Sequence, residues 1–244
     1  MKINILSLLI ILSFGVWADD HLPTNFSKYQ SNFHFKCDEP EKCFAAFDKY
    51  MKSPEVSGLE VDFYALNHNG FSDASHGISF YFKDADEYAA TGNFYATSKA
   101  GKDFRNAMNR VGADLDNKTL TIHSVGVVDG VSGTAESPVG LIWDLNVSDP
   151  AAFVPTWVEF SKNMEEEAWN KATAYGLQTH YLGNVGNGIT HNVWAQFKSQ
   201  QDALEFLDGM YSSPEFAEYS AKAKEYRTFL RSYMTVSLKM YNPD

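Results

Sequence analysis

His76-Gly-Ile-Ser-Phe-Tyr-Phe-Lys83 lies on His191-Asn-Val-Trp-Ala-Gln-Phe-Lys198 without a gap. The His, the closing Phe and the Lys coincide, and Ile78 falls on Val193. Both stretches change character at every second residue, the period of a strand with one buried face. The surroundings repeat as well. Gly58-Leu59 matches Gly176-Leu177, Pro40 matches Pro150, and Tyr95 matches Tyr211 after one gap. The chain therefore reads as one unit written twice.

Working outward from these strands gives the same element order in each copy. In the first, a strand at 32–36 precedes a helix at 39–51 that has Pro40 in its first turn. Strands at 59–66 and 76–83 flank the turn His68-Asn69-Gly70. Asp84 caps a helical region, broken near Gly92, that reaches Arg110, and a strand at 118–125 closes the copy. The second copy has a strand at 139–147, a helix from Asp149-Pro150 to Ala174, and strands at 177–182 and 191–198 around a glycine-rich turn. Ser199 then caps a helix broken at Ser212-Ser213-Pro214, and a strand at 231–241 ends it. The order β-α-β-β-α-β met twice predicts an α+β chain of two fused ferredoxin-like repeats, 32–125 and 139–244. Residues 126–138 are the linker and 19–31 an extended arm.

Residues 1–18 read as a secretory signal peptide: Lys2, an apolar run from Ile3 to Val16, and Ala18 at the cleavage point. That run is short of the roughly 20 residues of a membrane span, and no later stretch is long and apolar enough. A secreted or periplasmic protein is expected. Cys37 and Cys43, the only cysteines, then read as a disulfide closing a small loop. Two cysteines without nearby His fill no zinc site. The net charge of −11 opposes binding to nucleic acid or anionic lipid and otherwise keeps the protein soluble.

Strand parity sorts the side chains into faces. His76, Ile78, Phe80 and Phe82 share an apolar face, as do His191, Val193, Ala195 and Phe197. Ser79 and Tyr81, and Asn192, Trp194 and Gln196, lie on the other. Asp62 and Tyr64 join that mixed face in the first copy; Gln178 and His180 join it in the second. Such a face is either open to water or enclosed between two facing sheets. Tyr64, Tyr81 and Trp194 favour enclosure, because large aromatics are costly to leave open.

The pattern over 32–242 resembles the dimeric α+β barrel superfamily, and within it the antibiotic-biosynthesis-monooxygenase-like group. Met210-Tyr211-Ser212-Ser213-Pro214-Glu215-Phe216 is similar to a Ser-Pro-x-Phe stretch common there, while Tyr95-Ala96-Thr97-Ser98 lacks the Pro. The resemblance implies a pseudo-dimer in one chain, its two units paired sheet to sheet. It also implies small-molecule sites between sheet and helices. Many members carry a His just before that Ser; Phe94-Tyr95 and Met210-Tyr211 stand here instead, so no catalytic residue carries over at that place. Heme-using relatives ligate iron from a helix, and no predicted helix holds a His, so no cofactor is expected.

His76 and His191 are the candidate catalytic pair, each a general base or polar anchor at a pocket mouth, or else a core imidazole bonded to backbone. Asp62 and His180, laid on one another by the Gly58–Gly176 match, are an acid–base pair or an interior salt bridge. Trp194, His180, Asp62, Tyr64, Tyr81 and Tyr211 are candidate ligand contacts. Trp143, Trp157 and Trp169 line a cavity or form core. Three functions stay open: binding of a small apolar or aromatic ligand, which leads; a cofactor-independent monooxygenase-like or isomerase-like enzyme; and a structural or interaction protein.

Overall fold

A computed structural model describes residues 27–242 apart from 55, 57, 71, 129–135 and 184–187. The expected signal peptide, the first part of the arm and the middle of the linker lie outside the described residues. Repeat 1 runs β1 (Tyr29–Lys36), α1 (Pro40–Met51), β2 (Glu60–Asn67), β3 (His76–Phe82), α2 (Ala85–Thr97), α3 (Lys99–Arg110) and β4 (Asp114–Val128). Repeat 2 runs β5 (Val139–Val147), α4 (Pro150–Glu165), β6 (Ala174–Leu182), β7 (His191–Phe197), α5 (Gln200–Ser212), α6 (Pro214–Ala223) and β8 (Arg227–Tyr241). The α+β assignment and the two ferredoxin-like repeats hold.

The eight strands form one closed antiparallel barrel in the order β1-β3-β2-β8-β5-β7-β6-β4. Each repeat supplies four strands, and β2–β8 and β4–β6 pair across the junctions. Closure leaves no unpaired strand edge, the usual weak point of a sheet. The mixed faces turn into the barrel and the apolar faces lie under the helices, as parity predicts.

The repeats correspond residue by residue. Phe35 pairs with His76 and Leu145 with His191. The ladders β1–β4 and β5–β8 slip at the same place, between His34 and Phe35 and between Asp144 and Leu145. Under α1 to α3 lies a core with Phe47, Phe63 and Val61 fully buried. Under α4 to α6 the core centres on Phe153, Trp157, Leu177, Phe197 and Phe206. The Cys37–Cys43 disulfide ties the end of β1 to α1. A loop this small stabilises by roughly 2 kcal/mol. The same two places in repeat 2, counted from the matching prolines, hold the buried Val147 and Phe153.

Several sequence expectations need correction. The first helical region breaks at Ser98, not near Gly92: α2 runs through Gly92, and Ser98 Oγ accepts from Gly101 N at 2.9 Å to start α3. Ser213 does the same for Phe216 N at 3.1 Å. Both preceding helices have 13 residues, so no gap is needed, and Tyr95 corresponds to Met210 instead of Tyr211. The helix expected to reach Ala174 stops at Glu165, and Trp169 sits in the turn after it. There the indole lies against the bare Cα of Gly209, where a Cβ would stand 2.2 Å from Trp169 Cβ.

Candidate functional site

Three cavities follow from this layering. One is the barrel lumen, and the other two lie between sheet and helices, one per repeat. The lumen cavity holds about 310 Å³. Asp62, Tyr64, Tyr81, His180 and Trp194, five of the expected ligand contacts, line it. Tyr211 does not; it lies half-exposed on the helix–sheet cavity of repeat 2, where Trp143 Nε1 donates to its hydroxyl at 3.4 Å. Trp194 borders both spaces.

In the lumen, short side chains face long ones. A Cβ on Gly77 would stand 2.3 Å from the Tyr64 ring, and one on Gly176 would stand 2.6 Å from Trp194. Polar groups bridge the strands. Gln178 Nε2 donates to Gln30 Oε1 at 2.6 Å, and Ser79 Oγ donates to Asn32 Oδ1 at 2.6 Å. His34 Nε2 lies 3.0 Å from Tyr64 Oη. Arg231 Nε donates to Asp144 Oδ2 at 2.6 Å, with 9% and 3% of the two side chains exposed.

Burial sets the protonation of these groups. It lowers His34 and His180 to about 4 and His123 to about 3, so all three are neutral imidazoles near pH 7. Burial raises the Asp62 carboxyl to about 7, against the bond it accepts from Ser237 Oγ at 2.6 Å. It also raises Asp144 against the opposing Arg231.

The expected Asp62–His180 equivalence fails. Asp62 pairs with Ser79, and Gly176 with Trp194, so Gly176 is the true counterpart of Asp62. His180 takes the place of Leu66: His180 N bonds Thr190 O as Leu66 N bonds Ser75 O. Gly58, the landmark used for the match, lies in a turn rather than a strand.

His76 and His191 are equivalent, buried and on the helix side. His76 Nδ1 lies 2.8 Å from Ser75 Oγ, and His191 Nδ1 lies 2.9 Å from Thr190 Oγ1. His76 stacks on Phe35 and His191 meets Phe153 edge-on. Neither lines any of these three cavities. The Asp144–Arg231 pair escaped the sequence reading. Its signal was a lone carboxylate in the otherwise apolar strand 139–145, which must find a partner when buried.

The helix–sheet cavities are apolar and of similar size, about 350 Å³ in repeat 1 and about 340 Å³ in repeat 2. In repeat 1, Arg105 donates to the Tyr95 and Ala96 carbonyls and covers the Tyr95 ring at 4.9 Å. In repeat 2 the walls are Trp143, Trp157, Phe160 and Phe206, with Lys224 and Arg227 at the edge. The Arg227 guanidinium covers the Tyr219 ring at 5.2 Å, as Arg105 covers Tyr95. Among the described residues, no carboxylate, imidazole or thiol lines this cavity.

No protein-family model matches the sequence, and no curated protein does. Solved structures match it over most of its length. A candidate monooxygenase from Fusobacterium nucleatum subsp. nucleatum gives a TM-score of 0.57 at 18% identity, covering 88% of this chain and 93% of that one. An anthrone oxidase-like protein gives 0.58 at 9% identity, over 88% and 93%. A heme-binding protein from Thermus thermophilus gives 0.51 at 8% identity, over 88% and 92%. Such identities establish a shared fold. Among the described residues no His or Cys, the commonest heme ligands, lines either helix–sheet cavity, and no described helix carries a His. Among the described residues, no three His, Cys, Asp or Glu gather to hold a metal ion.

Proposed function

The chain has the dimeric α+β barrel fold, both ferredoxin-like units fused in one polypeptide, and on that premise we propose that it binds a small aromatic ligand in the helix–sheet cavity of repeat 2. The observation that carries the reading is an aromatic-walled space of about 340 Å³, lined by no carboxylate, imidazole or thiol among the described residues. Its size falls within the range of ligand pockets. Its walls favour flat apolar bodies, and the Lys224 and Arg227 cations in its lining favour a ligand with one oxygen acceptor. Repeat 1 is the weaker candidate, because Arg105 is already committed to backbone carbonyls. Among the described residues no carboxylate or imidazole, the commonest general bases, lines the cavity, which favours binding over turnover. The disulfide supports export to an oxidising compartment, and no described helix is long and apolar enough to cross a membrane.

Anthrone, a three-ring aromatic ketone suggested by the oxidase-like neighbour, is a direct probe. Titrating it into the protein should quench tryptophan emission saturably, and Arg227→Met should weaken binding about tenfold. Unsaturable quenching would overturn the reading. Faster appearance of anthraquinone than in protein-free buffer, with oxygen consumed and water released, would turn the binder into an oxidase.

A further inference from the structure

We propose that the barrel lumen takes a small organic ammonium ion, a one-ring amine whose charge is met by Asp62. The site is separate from the helix–sheet cavity of repeat 2 and does not rest on the function proposed for it.

Asp62 sits half-buried on the inward face of β2 and lines the lumen cavity, so the surface it keeps opens into the barrel. Ser237 Oγ donates to its Oδ1 at 2.6 Å and is the one hydrogen-bond partner of this carboxylate among the described residues. Oδ2 is left without one. The only other charge acting on Asp62 is a second carboxylate, Glu60, on the same face of the strand. No cation answers Asp62. Arg231 is the one Lys or Arg lining the lumen among the described residues, and it is committed to Asp144 at 2.6 Å. A lone carboxylate ionises here at a cost, and burial accordingly raises its carboxyl to about 7. An ammonium ion supplies both the missing counter-charge and a donor for Oδ2.

The rest of the lining suits a ring that carries a cation. Tyr64 follows Asp62 on the same face of β2, and Tyr81 stands opposite Glu60 on β3. Aromatic faces attract ammonium groups. Tyr233 is 8% exposed and lines the same cavity. Its hydroxyl has no hydrogen-bond partner among the described residues and still keeps accessible surface, which leaves a second polar atom for a guest. The volume of about 310 Å³ lies at the lower end of ligand pockets, enough for one ring and a short chain. The repeat 2 cavity, edged by Lys224 and Arg227, repels the same cation, so the two sites can be tested apart.

The probe is tyramine, compared with tyrosol, in which a neutral hydroxyl replaces the ammonium. Binding is read by isothermal titration calorimetry on the full chain at pH 8, where Asp62 is ionised. Tyramine should bind saturably and at least about tenfold more tightly than tyrosol. Asp62→Asn keeps an acceptor for Ser237 and loses the charge; it should weaken tyramine about tenfold and leave tyrosol unchanged. Saturating anthrone should leave tyramine binding as it is. Equal affinity for the two compounds, no saturable heat from tyramine, full affinity in Asp62→Asn, or displacement of tyramine by anthrone would each overturn the proposal. The comparison of the two compounds uses the unaltered protein, so it decides even if Asp62→Asn fails to fold.

Discussion

The two repeats share a backbone and differ most where they face the lumen. On the helix side they agree closely: His76 and His191 each contact the hydroxyl of the preceding residue, and Ser98 and Ser213 each start a helix. Across the barrel the register equates His34 and Asn117 with Asp144 and Arg231. One repeat fills that place with two neutral groups and the other with a buried ion pair. The helix side has its own exception: where repeat 1 holds the disulfide, repeat 2 has plain apolar packing. The helix side carries the fold, so its strand-end and helix-start contacts repeat. The lumen is free to diverge, and there the two halves became different.

The largest test of this contrast removes one partner from each equivalent pair. Arg231→Leu leaves Asp144 buried without its cation and should cost about 3–5 kcal/mol. Asn117→Leu at the matching place should cost about 1 kcal/mol, since it removes only weak neutral bonds. Urea unfolding measures both, and equal losses would show that the ion pair is no more than a neutral contact.

A smaller effect lies in the pH profile. His34, His123, His180 and His191 are held at about 4, 3, 4 and 4, below their ordinary 6.5. The unfolded chain takes up these protons first. Their stabilisation is therefore complete above pH 6.5 and is lost as pH falls through about 4. Asp62 acts in the opposite sense. Its folded carboxyl stays protonated up to about 7 against 3.8 unfolded, so its contribution is full below 3.8 and fades as pH rises to 7. Asp144 opposes the histidines too, its carboxyl being raised. The four imidazoles outnumber the two carboxyls, and stability should climb between about pH 4 and 6.5. His34→Gln should shrink the rise by about 2–3 kcal/mol, and Asp62→Asn should steepen it. Denaturant midpoints across that range decide; a rise unaltered in His34→Gln would mean that this imidazole titrates alike in both states.

The smallest expected effect concerns the helix starts. Ser98 is already extended, at ψ 158°, as a residue before proline must be. Lys99→Pro would copy Pro214 at the first helical position and should stabilise by about 0.5 kcal/mol. A thermal melt that falls instead would show that the two breaks differ in geometry.

Much of this was legible in the sequence because strands have a period of two. That period placed Asp62, Tyr64, Tyr81, His180 and Trp194 on one face, and all five meet in the lumen. It carries no information on which strand edges pair, so closure through β2–β8 and β4–β6 was invisible. Glycine landmarks misled where their reasons differ: Gly58 serves a turn, whereas Gly176 yields space to an indole. The helix expected to reach Ala174 overran the real end of α4, because Trp169 packs against Gly209 in the turn that follows. Arg231 meets Asp144 only through the β5–β8 ladder, a contact that no local pattern announces.

The central claim is that repeat 2, and not repeat 1, holds the aromatic ligand. Matched cavity-filling substitutions test it most directly: Ser220→Phe in repeat 2 and Thr91→Phe in repeat 1, each on a helix bordering its cavity. Anthrone titrated against both variants should lose saturable quenching in Ser220→Phe and keep it in Thr91→Phe. Binding lost in Thr91→Phe, or kept in Ser220→Phe, would contradict the assignment.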